Sequence, residues 1–215
     1  VTASDPIVLY VEAHWASPWV CAVHVTLREK ALSFSTAIAM MRHGSGAIDL
    51  MHDLTLTGTA PVLQHGDFWL AESLAIVEYL EDVFPQPPML PVDVRDRGRA
   101  RQLMTWMRYE HEALRQERPT ERIFYPAPSI APLSPAARRC ADDLVRVVER
   151  LGADPAGVFG GRFGVVDVEL AFALMRLVTS RDAVPDRVRD YATAVWSRPS
   201  VREFAEHRRP PNPPF

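Results

Sequence analysis

"PQPPMLPVDV", residues 85–94, carries four prolines and divides the chain into halves that read differently. Proline lacks the amide that an inner helical position donates, and it disfavours helix in the residue before it. The stretch is therefore read as a linker between a domain over residues 1–84 and another over 95–215.

Working back from it, "ESLAIVEYLEDVF" (72–84) spaces Ile76, Leu80 and Phe84 four apart, which predicts a helix started by Ser73. "PVLQHGDFWLA" (61–71) is two β-like runs around a turn at His65-Gly66-Asp67. Further back, "IVLYV" (7–11) reads as a buried strand and "SFSTAIAM" (33–40) as a second one. Between them Val20, Val23 and Leu27 predict an amphipathic helix of about four turns, with His24 and Arg28 on its other side. Residues 44–54 read as a loop with a short helix. The order is βαβ, a variable segment, a ββ hairpin, then α.

Beyond the linker the strand signal vanishes. Residues 95–118 predict one extended helix carrying Leu103, Trp106, Met107 and Leu114, and 119–135 a proline-rich connection. Ser134 and Pro135 open the next helix as cap and first residue. Its buried face is read as Ala137, Cys140, Ala141, Leu144, Val147, Val148 and Leu151. A helix over 165–178 is apolar nearly all round and belongs at the centre, with Asp167 in its first turn. Shorter helices are predicted near 186–196 and 200–208, then an extended, loose tail, "RRPPNPPF". No internal repeat is visible.

Composition narrows the function classes. With 215 residues and 47% hydrophobic content the chain can bury real cores. The net charge is −3 and its 24 basic residues are interspersed with 27 acidic ones, so no face is basic enough to hold a phosphate backbone, and nucleic acid is not an expected partner. No apolar run approaches bilayer length and the first Lys or Arg is Arg28, so a cytoplasmic protein with no membrane partner is expected. The two cysteines, Cys21 and Cys140, form neither a CxxC motif nor a metal cluster; reduced thiols are expected, with Cys140 in the core. Lys30, the only lysine, reads as compositional bias.

Five short motifs, in order and at fitting intervals, resemble those of cytosolic glutathione S-transferases over almost the whole chain. Ala16-Ser17-Pro18-Trp19 resembles the family's S-P-[FYW] start of the first helix, where Ser, Cys or Tyr meets the glutathione sulfur. Gly58-Thr59-Ala60-Pro61-Val62-Leu63 resembles the loop whose proline is cis, and Glu72-Ser73-Leu74-Ala75-Ile76 the E-S-x-A-I motif. "GVVDVELA" is similar to the capping box with its buried aspartate, and Arg198-Pro199-Ser200-Val201 to the closing motif. The resemblance implies a thioredoxin-like N-terminal domain (βαβ-α-ββα), an all-α helical C-terminal domain, and a homodimer. It also implies glutathione as co-substrate, with no metal.

Each candidate residue has a plain structural reading beside the functional one. Ser17 before Pro18 is an ordinary helix cap, yet a hydroxyl at a helix N-terminus can also donate to a thiolate. Lowering a thiol pKa from about 8.5 to about 7 takes roughly 2 kcal/mol. A charge-assisted hydrogen bond supplies about 1.5–3 kcal/mol and the helix terminus up to about 2, so the two suffice. Given the motifs, Ser17 is read as catalytic. Pro61 is either a trans strand start or the cis residue that turns the Ala60 backbone towards the glutathione peptide. Glu72 and Ser73 are either a helix start or the groups for the γ-glutamyl ammonium and carboxylate. Asp167 is structural on both readings.

Some features depart from the family pattern. Thr59 stands where a longer side chain is common, leaving Arg42, His43 and His52 as possible partners for the glycyl carboxylate. Gly164 opens the capping box without a side-chain acceptor. A small hydrophobic or electrophilic substrate is expected between the halves. Trp15, Trp106, Tyr109 and Phe124 are candidates for its apolar wall, and Arg115 and Arg118 for an anionic group. Cys21, one turn after Ser17, reads as a small buried residue rather than a redox thiol. Thiol activation for conjugation is the leading function. The alternatives are a glutathione-dependent peroxidase or small-acid isomerase, and a non-catalytic carrier or interaction module on the same fold.

Overall fold

The computed structural model describes residues 2, 4–39, 54–125 and 130–211. Its contacts divide the chain into two compact units, Val1–Met89 with Glu206–Pro211, and Leu90–Ala205. In the first unit β1 (Ile7–Val11) leads through α1 (Pro18–Glu29) to β2 (Ser35–Ile38), and β3 (Val62–His65) with β4 (Phe68–Ala71) leads to α2 (Ser73–Val83). The expected helix near 44–54 lies outside the described residues.

The sheet runs β2-β1-β3-β4, parallel across β1 and β2 and antiparallel elsewhere. Tyr10 pairs with Val62, and Val62 with Ala71, so these three share one face with Trp69, whose ring lies 5.3 Å from that of Tyr10. Ile7, Leu9, Leu63 and His65 occupy the other, where His65 Nδ1 lies 2.8 Å from the Tyr79 hydroxyl of α2. Alternation rather than uniform burial marks β1, because Val8 and Tyr10 are only half-buried.

α1 differs from the expected amphipathic helix. Every residue from Val20 to Leu27 is buried, His24 included. The His24 ring is met edge-on by Trp15 and Phe34, each with centroids at 5.6 Å, so aromatic packing covers the side that sequence reads as polar. Arg28 stays exposed, its guanidinium 4.5 Å above the Phe34 ring.

Past the end of α1, Lys30 is a structural hub. Its ammonium reaches Glu81 Oε1 at 2.6 Å and donates to the carbonyls of Phe84 at 2.7 Å and Pro87 at 3.0 Å. Glu81 Oε1 also accepts the Met89 amide at 2.8 Å. Three acceptors match the three donors of an ammonium, and together they tie α1, α2 and the start of the proline-rich stretch. The Gln86–Pro87 peptide there is cis.

In the second unit the single helix expected over 95–118 is two, α3 (Val94–Tyr109) and α4 (Glu112–Glu117). The break carries no proline or glycine. Side chains satisfy carbonyls around it: Arg115 donates to Met107 at 2.9 Å and the Cys140 thiol to Glu110 at 3.4 Å. Cys140 is consequently half-buried rather than core, as are Val147 and Leu151. A short α5 (Glu121–Phe124) lies within the proline-rich connection.

α6 (Pro135–Arg150) is capped by Ser134, which accepts the Ala137 amide at 3.2 Å. α7 (Val165–Thr179) is buried along most of its length, followed by α8 (Asp186–Trp196) and α9 (Pro199–Ala205). Asp167 Oδ1 accepts the Val158 amide at 3.0 Å and the Tyr191 hydroxyl at 2.8 Å, and Oδ2 the Gly164 amide at 2.9 Å. Gly164 itself offers no side-chain cap, so half of a capping box remains. Burial pushes the Asp167 carboxyl up, against the pull of those donors. Gly157, at φ +137°, sits where a Cβ would come within 2.0 Å of the Arg162 carbonyl.

Candidate functional site

Strand register gathers the first unit's candidates. Because Tyr10, Val62 and Ala71 lie side by side, the chain leaving β1, entering β3 and leaving β4 does so at one end of the sheet. Residues 12–17, Thr59-Ala60-Pro61 and Glu72-Ser73 therefore share that end, with the N-termini of α1 and α2. Both helix dipoles present their positive ends there.

Ser17 is the N-cap of α1, in extended backbone (φ −73°, ψ 124°), and its Oγ accepts the Val20 amide at a long 3.3 Å. Glu12, which sequence reasoning passed over, underpins it. One oxygen, Oε1, accepts both the Ala16 and the Ser17 amides at 2.7 Å. Burial raises the Glu12 carboxyl above the ordinary glutamate range, opposed by these backbone donors. The signal was the lone acidic residue between the end of a strand and a Ser-Pro helix start.

Trp15 adopts a left-handed backbone (φ 48°), a conformation costing about 1–3 kcal/mol unless neighbours fix it. Its indole stacks on His207 with centroids at 3.8 Å, and its carbonyl accepts Arg209 Nη2 at 2.8 Å and Nε at 3.2 Å. The tail expected to be loose is thus fastened to the serine loop through residue 209, and Trp15, expected in an apolar wall, is 4% exposed.

The Ala60–Pro61 bond is cis. Thr59 donates its hydroxyl to Glu72 Oε1 at 2.8 Å, a link that sequence did not suggest. Glu72 is itself left-handed (φ 71°) and is the N-cap of α2, so Ser73 is the first helical residue rather than the cap. The Glu72 side chain makes no cap bond to α2. Ser73 is buried and Glu72 exposed. Arg42, His43 and His52 lie outside the described residues.

The remaining candidates belong to the second unit. Arg118 is a correction: it is 3% exposed, and its guanidinium donates to Asp182 at 2.6 and 2.9 Å and to the Ala131 carbonyl at 2.9 Å, so its charge is already met. Phe124 joins a ring cluster with Phe172, Trp196 and Phe204. Trp106 is half-buried with His111 edge-on at 4.3 Å, Arg115 is partly buried on the Met107 carbonyl, and Tyr109 is 76% exposed. Among the described residues no cluster of three or more His, Cys, Asp or Glu has metal-binding geometry. Among the same residues no helix is long and apolar enough to cross a membrane.

Comparison with known proteins agrees with this architecture. Residues 16–83 match the family described as glutathione S-transferase, N-terminal domain, and residues 93–208 the one described as glutathione S-transferase, C-terminal domain. A glutathione transferase homolog from Burkholderia gl BGR1, solved with bound glutathione, is 33% identical over 93% of this chain and 95% of that one, with a TM-score of 0.72. Glutathione S-transferase 1 of Dianthus caryophyllus is 39% identical over 76 residues, 35% of this chain and 34% of that protein. A stringent starvation protein A homolog of Histophilus somni is 40% identical over 82 residues, 38% and 37% of the two chains. The chain thus aligns with little more than a third of these curated relatives' length. Matched over both of its units, the chain belongs to the glutathione S-transferase family.

Proposed function

We propose that the chain is a glutathione transferase in which the Ser17 hydroxyl donates to the glutathione sulfur and holds it as thiolate. The observation that carries this reading is the serine's position. It caps a helix whose positive end lies with that of α2 at one end of the sheet, and its oxygen accepts one long bond from Val20. A hydroxyl that accepts from its own helix through a lone pair still has its hydrogen to donate to an anion in front of it. The glutathione-bound Burkholderia homolog supports the choice of ligand.

In this reading the peptide part of glutathione lies along the Ala60 backbone beside Pro61. The γ-glutamyl carboxylate sits at the N-terminus of α2 with Ser73, and its ammonium meets Glu72. The thiol proton leaves to solvent, and the thiolate attacks an electrophilic carbon of a small hydrophobic substrate, forming the C–S bond as a leaving group departs with its electron pair or as a polarised double bond opens and takes a proton from solvent. Ser17 and the helix dipole need supply about 2 kcal/mol of thiolate stabilisation for ionisation near neutrality. The homodimer and the cytoplasmic location belong to the same proposal.

Ultraviolet thiolate absorbance of bound glutathione, followed across pH, tests it. In the wild type the bound thiol should ionise near pH 7, and in Ser17→Ala about one to two units higher. Glutathione bound without a shift, or a shift that survives in Ser17→Ala, sinks the assignment and puts a carrier or interaction role first.

A further inference from the structure

Ser17 is held from behind by a residue of no assigned role. Glu12 stands just past β1, five positions before the serine, and one of its oxygens accepts two consecutive amides, Ala16 and Ser17, at 2.7 Å each. Its other oxygen, Oε2, is buried and has no hydrogen-bond partner among the described residues. The loop it closes contains the left-handed Trp15, whose amide turns back to the Glu12 carbonyl at 3.3 Å. A carboxylate in that position does two things. It fixes the serine backbone relative to the strand, and it consumes the two amides that would otherwise compete for an anion at the helix start. The serine hydroxyl then stands at the helix start as a side-chain donor for the anion.

We propose that Glu12 is a positioning residue for Ser17: by taking the Ala16 and Ser17 amides it makes the serine hydroxyl the donor that a bound thiolate meets. The inference rests on the reading of Ser17 given above. It assigns Glu12 geometry rather than charge, so an amide with the same reach should replace the carboxylate.

The test is the pH titration of bound glutathione thiol in Glu12→Asp and Glu12→Gln, beside the wild type and Ser17→Ala, with steady-state kinetics. Aspartate draws the acceptor back by one methylene, whereas glutamine keeps an oxygen in place. Glu12→Asp should raise the thiol pKa by about one unit, roughly ten-fold less thiolate near neutrality, with kcat lowered and KM for glutathione within about two-fold. Glu12→Gln should titrate like the wild type. Unchanged titration in Glu12→Asp overturns the proposal, and so does an equal rise in both variants. A wild type without a shift, or a shift retained in Ser17→Ala, removes the Ser17 reading itself and is recognised from those two proteins alone. If Glu12→Asp does not fold, amide exchange decides. The Ser17 amide of the wild type should be protected without glutathione as well as with it, and protection that appears only on binding means that the ligand rather than Glu12 takes that amide.

Discussion

His111 sits at the break between α3 and α4, 4% exposed, its ring edge-on to Trp106. Burial, with the Arg115 and Arg176 charges, drives its imidazole down to about 4, while Asp143 pulls the other way. In the unfolded chain it titrates near its ordinary value of about 6.5. Between those two values the native state binds fewer protons than the unfolded one, so stability rises with pH there. The contribution is fully present above about 6.5 and is lost as pH falls through the folded value. His111→Phe should flatten that acid-side slope, read from urea midpoints at a series of pH values. An unaltered slope would move the acid sensitivity to other groups.

Among the elements, the segment after α9 departs from the sequence reading at His207 and Arg209. Exposed arginines and prolines read as a loose tail, but Arg209 takes the Trp15 carbonyl 194 positions back, and His207 stacks on the Trp15 indole. Such a contact has no local signature, since its partner is a backbone oxygen whose orientation depends on a left-handed residue. Arg209→Ala should leave the fold intact and quicken amide exchange over residues 13–17, because two charge-assisted donors to that loop are gone. Exchange unchanged there would make the tail a passenger. The broken helix over 94–117 escaped for a related reason. Neither Glu110 nor His111 is a helix breaker by type, and carbonyls near the kink are satisfied by Arg115 and Cys140, contacts made by tertiary packing.

At the level of the molecule, the fold was legible because its signals are local. Period-two and period-four apolar spacing, a Gly-Asp turn at 66–67 and Ser-Pro helix starts each specify an element without reference to the rest. The sheet end that gathers Ser17, Pro61 and Ser73 was reached only through a family resemblance, since strand register is what aligns them. The Thr59 link to Glu72 and the burial of Arg118 were invisible for the same reason: each depends on which surfaces meet. Lys30 is the sharpest instance. Sequence presented it as an accident of composition, and folding makes its side chain 0% exposed, with three acceptors around the ammonium.

The chain's sole ε-amine is therefore sealed in the folded protein. Amine-reactive esters should spare Lys30 in the native protein, read by peptide mapping. Lys30 should react only when the α1, α2 and linker junction opens, so its acylation rate is a built-in clock for that opening. Rapid native labelling at Lys30 would show that the junction breathes freely.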